Sequence, residues 1–179
     1  MKSFISHLKL LWYGLLAALF VVSFALSLFN SSSLDSVGIK LKPGVEEHKD
    51  KTVPLVSDPE EKLPDYRVSY LSEERWHTIG TKVNTSAEEW INFDISDVPN
   101  MTLVQAIRVV DEDALESDLL EEVQLVDTQP EGDKFEYRIE TTRSLKSGMA
   151  WFATTALGKA IFGAIFAAIF LVVISHIGI

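Results

Sequence analysis

Residues Ala160 to Leu171 read AIFGAIFAAIFL. The triplet Ala-Ile-Phe recurs every four residues, followed in turn by Gly163, Ala167 and Leu171. At about 100° per residue on a helix, Ala160, Gly163, Ala164, Ala167 and Ala168 gather on one side. The Ile and Phe residues at 161, 162, 165, 166, 169 and 170 take the other. Neither side is polar, so no face suits water. With Leu171 to Ile174 completing the run, the stretch reads as a membrane span with a small-residue packing seam.

A second apolar run, Leu10 to Phe29, follows a short basic start containing Lys2 and Lys9. Ala25 and Ser27 offer a small-x-small cleavage pattern, but the run exceeds the roughly 7–15 residues of an export signal's apolar core. It therefore reads as a retained anchor. Gly14, Ala18 and Ala25 share one helical face, a weaker counterpart of the later seam, and Trp12 and Tyr13 suit an interfacial aromatic belt.

Between the two spans the composition changes. All 26 acidic residues lie between Asp35 and Glu140, in a chain of 179 residues with a net charge of −10. Such an acidic segment cannot neutralise a stripe of phosphates, which argues against a nucleic-acid partner. Cysteine is absent, excluding disulfides, thiolate metal sites and a cysteine nucleophile. Residues 30–64 hold four of the six prolines among closely mixed charges and read as an extended linker.

Residues 65–142 read as a compact acidic domain. YRVSYL (66–71), RWHTIGTKV (75–83) and EWINFDI (89–95) have strand composition, and VQLVDTQ (123–129) with KFEYRIET (134–141) reads as a hairpin around PEGD. Thr102 and Gln105 suggest a capping box, and Leu103, Ile107, Val110 and Ala114 have helical spacing, so 102–111 leans to helix; a strand there is the competing reading. DALESDLLEEV is read as helical in either case. The expected fold is α+β: two transmembrane helices, 1–29 and within 143–179, flank a small antiparallel sheet with one helix. A β-sandwich-like domain is the alternative.

Lys159 is the candidate with most chemistry, one turn before Gly163. If the last helix starts near Ala150, Lys159 lies ~13 Å inside the bilayer and needs a carboxylate partner. No acid occurs in either span, so that partner belongs to another subunit. If the span starts at Lys159, the side chain marks the surface and snorkels. His7 and His176 read as interfacial histidines, and His48 and His77 lack metal-ligand spacing. The acids Asp111, Glu112, Asp113, Glu116, Asp118, Glu121 and Glu122 match no calcium loop and read as a solvated helix face. No phosphate-binding glycine loop, G-x-S-x-G or contextual Ser-His-Asp set is present.

These observations lead to an expectation of a non-enzymatic accessory or assembly subunit of a membrane complex, without cofactor. Its partners are integral membrane proteins or further copies of itself, within a lipid bilayer. A membrane-anchored sensor or regulator is the second reading, and a membrane-anchored hydrolase or redox subunit the third. The basic start ahead of an apolar run places both ends in the cytoplasm of a bacterial inner membrane and the domain in the periplasm. The sequons at Asn30, Asn84 and Asn100 leave an endoplasmic-reticulum membrane with a luminal domain as the alternative.

Overall fold

The computed structural model describes residues 2–48, 63–96, 99–112, 117–125 and 130–177. The chain divides into two units: Ser33–Thr142, and Met1–Ser32 together with Arg143–Ile179. Its described residues form a mixed α+β structure with two antiparallel sheets and three helices.

The first unit is built from β1 (Ser32–Leu41), β2 (Tyr66–Ser72), β3 (Arg75–Lys82), β4 (Ile91–Asp94), β5 (Val104–Asp111), β6 (Asp118–Gln124) and β7 (Phe135–Arg143). One sheet has the order β4-β1-β7 and the other β3-β2-β5-β6. Both sheets feed a single buried cluster that includes Leu34, Val37 and Ile39 of β1, Tyr66 and Val68 of β2, and Ile107 and Val109 of β5. Phe93 of β4 and Phe135 of β7 complete its aromatic part. Tyr66 meets Phe135 edge to face with centroids 5.9 Å apart, joining one sheet to the other. Each such buried side chain contributes about 1.5–3 kcal/mol through loss of apolar area to water.

The expected strands at 66–71, 75–83, 89–95 and 134–141 are present as β2, β3, β4 and β7. Four other readings are corrected. Ser32–Leu41, at the start of the expected linker, is the central strand of its sheet and pairs Ser36 with Asp94 and Ile39 with Ile91; residues 49–62 of that linker lie outside the described residues.

The helix expected over 102–111 is β5, preceded by a 3₁₀ turn, Met101–Leu103, which the Asn100 side chain caps through the Thr102 N–H. β5 is buried on both faces, so its run of apolar residues lacks the alternation that marks a strand.

Asp118–Gln124 is likewise a strand rather than helix. A register shift opposite Val109/Val110 leaves its buried residues, Leu120 and Val123, at i and i+3, which imitates helical spacing. Finally, β6 and β7 lie in different sheets and do not form the expected hairpin; residues 126–129 lie outside the described residues. The domain thus holds no α-helix among its described residues.

The second unit contains α1 (Lys2–Phe29), α2 (Leu145–Thr154) and α3 (Ala156–Ile177). Within α1, the 19 residues Leu11–Phe29 are long and apolar enough to cross a membrane. The continuous last helix expected to start near Ala150 is instead broken: α2 and α3 meet at 92°. Thr155 makes the break. Its backbone is extended, its Oγ1 donates to the Phe152 carbonyl at 2.7 Å, and the same oxygen accepts from the Gly158 N–H at 2.9 Å. One hydroxyl therefore closes the end of α2 and caps the start of α3.

Candidate functional site

The helical unit is assembled around close backbone approaches. Along α1, the hydroxyls of Ser23 and Ser27 donate to the carbonyls of Leu19 and Ser23, each at 2.8 Å. These polar groups are satisfied within the helix, so a narrow face is left for a neighbour. Gly148 of α2 occupies it: a Cβ there would overlap the Ser27 carbonyl. Ser144 fixes the start of α2, its N–H donating to the Ser31 carbonyl at 2.8 Å and its Oγ accepting from the Ser147 N–H at 3.3 Å. At the elbow, a Cβ on Gly158 would overlap the Phe152 carbonyl. Phe152 is buried, and its ring meets Phe162 of α3 with centroids 5.9 Å apart.

The residues expected to form a packing seam divide against this background. Ala168 is buried, as is Ile161. Ala160, Gly163, Ala164 and Ala167 are exposed, and a Cβ built on Gly163 meets, among the described residues, no atom within 4 Å beyond its own helix backbone. Gly14 and Ala18 of α1 are exposed too, and Gly14 has the same open surroundings. The glycines that permit contact inside the chain, Gly148 and Gly158, were missed by sequence reasoning. In the sequence Gly148 simply ends a polar stretch.

Lys159 is exposed in the first turn of α3, its N–H bonded to the Thr155 carbonyl at 3.0 Å. Because α3 begins at Ala156, Lys159 does not lie nine residues along one continuous helix that starts near Ala150. The side chains of His7 and His176 lie outside those described.

In the β unit, carboxylates fasten loops. Glu47 accepts from the Tyr66 hydroxyl at 3.0 Å, the Ser86 hydroxyl at 2.8 Å and the Ala87 N–H at 2.5 Å. Glu121 accepts from the N–H groups of Asp133, Lys134 and Phe135 and from the Tyr137 hydroxyl at 2.9 Å. Burial, with the adjacent Glu121 charge and hydrogen bond, pushes the Tyr137 hydroxyl pKa well above the ordinary tyrosine range. Asp111 is fully buried and accepts from the Asp65 N–H at 2.9 Å; His48 Nε2 stands 3.6 Å from Asp111 and 3.4 Å from Asp118.

The expected acidic helix face is therefore not one surface. Asp111 and Glu112 sit at the end of β5, the latter bonded to Arg67 and Thr81, while Asp118, Glu121 and Glu122 belong to β6. Asp113 and Glu116 lie outside the described residues. Among the described residues, no group of three His, Cys, Asp or Glu side chains is placed to hold a metal ion. His77 stacks on Tyr70, the rings 5.0 Å apart. A groove of about 660 Å³ runs beside β7, lined by Lys42, Trp90, Glu131, Glu136, Tyr137 and Arg138 among others. Of the sequon asparagines, Asn100 is buried as the cap of its turn, and Asn84 stands exposed at a left-handed backbone position.

Compared with known proteins, the chain matches no family model and no curated protein.

Proposed function

We propose that the chain is a non-enzymatic accessory or assembly subunit of a membrane complex. In this reading α1 and α3 both cross the bilayer, and the acidic β unit engages partners outside it. α3 has 22 residues, about 33 Å at 1.5 Å per residue, against a hydrocarbon core of ~30 Å. The observation that carries the reading is the division of labour among small residues. Contacts inside the helical unit are made at Gly148, Gly158 and Ala168, whereas Ala160, Gly163, Ala164 and Ala167 form an open face that nothing among the described residues covers. In a bilayer such a face allows another helix to approach closely. The partner is an integral membrane protein or a second copy of the chain. The basic residues Lys2 and Lys9 ahead of the apolar stretch Leu11–Phe29 support a bacterial inner membrane with a periplasmic β unit.

The test is purification in mild detergent of the parent chain and of a Gly163→Leu, Ala167→Leu variant. The parent is expected to elute with a stoichiometric membrane partner or as a defined oligomer, and the variant as a monomer. Equal association of both would remove the small face from the interface, and a parent chain that is itself monomeric and alone would end the subunit reading.

A further inference from the structure

We propose that α2 lies in the plane of the membrane surface, with its Leu145–Met149 flank against the acyl chains and its basic surroundings on anionic phospholipid headgroups. This rests on the membrane-anchored reading above. α2 leaves α3 at 92°, so an α3 that crosses the bilayer holds α2 parallel to its surface.

The level of α2 is fixed from α1 as well. Its N-cap residue, Ser144, donates to the Ser31 carbonyl, and its Gly148 lies on Ser27, at the end of the apolar stretch Leu11–Phe29. Two apolar helices therefore meet the short helix where each of them ends or begins.

The Phe152–Phe162 contact identifies the side of α2 that faces the bilayer interior. Phe162 is seven residues past Thr155, about 10 Å along α3. Leu145 and Met149 project within about 60° of Phe152 around the α2 axis. They are 39% and 44% exposed, apolar, and turned to the same side. Lys146, Ala150 and Thr154 project away from it. An amphipathic helix of this kind rests with its apolar flank sunk about 5–10 Å into the headgroup boundary.

Charge selects the lipid. From Thr141 to Ile179 the chain holds Arg143, Lys146 and Lys159 and no acidic residue, although the whole chain carries −10. Arg143, two residues before α2, and Lys159, in the first turn of α3, are exposed on either side of it in the chain. Placed at a membrane surface, each basic group favours an anionic over a neutral lipid by roughly fivefold.

The absence of native cysteine allows single labels to be placed in the full chain. Met149→Cys, Ala150→Cys and Phe166→Cys, each spin-labelled, are reconstituted in phosphatidylcholine vesicles with and without phosphatidylglycerol. Accessibility to oxygen and to a water-soluble nickel complex reports depth. The 149 label is expected to be oxygen-accessible and shallow, the 150 label nickel-accessible, and the 166 label deep. Quenching by brominated lipids is expected to show a preference for phosphatidylglycerol that falls roughly fivefold for each of Arg143→Gln and Lys159→Gln.

A deep 166 label with a nickel-accessible 149 label overturns the in-plane placement and leaves the anchor reading standing. A 149 label shielded from both reagents shows a protein partner on this flank and overturns the lipid assignment. Equal quenching by both lipids overturns the anionic preference. A shallow 166 label removes the anchor reading itself.

Discussion

Removing the Glu121 carboxylate should loosen the β unit at the point where β6 and β7, from different sheets, are tied together. Four donors converge on its two oxygens, and they differ in what happens when the acceptor is lost. The N–H groups of Asp133 and Lys134 are exposed and rehydrate at little cost. The Phe135 N–H and the Tyr137 hydroxyl are partly buried, and each loses an acceptor at about 1–3 kcal/mol.

Glu121→Ala is therefore expected to destabilise the unit by about 3 kcal/mol. For a domain near a hundred residues, that lowers Tm by roughly 15 °C. Glu121→Gln, which keeps one acceptor and turns an NH₂ toward the donors, should fall between. The assay is urea unfolding of the full chain in detergent followed by Trp76 and Trp90, with Trp12 and Trp151 replaced by Phe in the parent. Hydrogen exchange across 131–137 should accelerate in the same variants.

A Cβ on Gly132 would overlap the Glu121 carboxylate and stand 2.7 Å from the Tyr137 ring. Gly132→Ala should accordingly cost about 1–3 kcal/mol alone and less in the Glu121→Ala background. If Glu121→Ala lies within about 0.5 kcal/mol of the parent, as ordinary surface substitutions do, the staple contributes nothing and the reasoning fails.

Tyr137 supplies a pH signature. Its folded pKa is raised, so the unfolded chain ionises first and stability present below pH ~10 should decline above it, by up to about 1.4 kcal/mol per pH unit. Tyr137→Phe should flatten that decline; an unchanged slope in the variant would place the titration elsewhere. The β2–β3 turn puts Glu73 and Glu74 at φ 51° and 62°, where glutamate is strained. Glu73→Asn with Glu74→Gly should raise stability by about 1 kcal/mol in the same unfolding assay, and a loss would mean the glutamates make compensating contacts. Gly148→Leu should disrupt the helical unit itself, seen as faster proteolysis near Ser144, whereas Gly163→Leu should leave proteolysis unchanged and alter only association. Equal sensitivity of the two variants would merge the two faces that the structure separates.

The parts of the fold legible in the chain were those whose local pattern agrees with their surroundings. Phe135, Tyr137 and Ile139 alternate with charged residues and form an edge strand half in water, so β7 was readable. β1 was not: its serines and Gly38 have the composition of a linker, and only its position between two other strands makes it core. The same applies to β5, whose two covered faces erase alternation, and to β6, whose register shift puts Leu120 and Val123 three residues apart. In the helical unit the small face of α3 followed from its four-residue repeat. Gly148 and Gly158 did not, because a close approach depends on the backbone they meet. The bend at Thr155 hung on one hydroxyl whose partners, Phe152 and Gly158, had no visible pairing in an apolar sequence.

The place of β1 between β4 and β7 has a consequence for biosynthesis. Ser36 of β1 donates to Glu140 of β7 at 3.3 Å, across 104 residues of chain. At about 5–20 residues per second, β1 leaves the ribosome some 5–20 seconds before its last neighbour. Until then one edge of a strand whose Leu34, Val37 and Ile39 are destined for the core stays unpaired, directly after an apolar helix. Sheet closure is thus a late event that waits for the chain to reach Arg143, just before α2 begins. During that interval the nascent protein presents a sticky edge, so slowing translation between β4 and β7 should lengthen its exposure to chaperones and proteases.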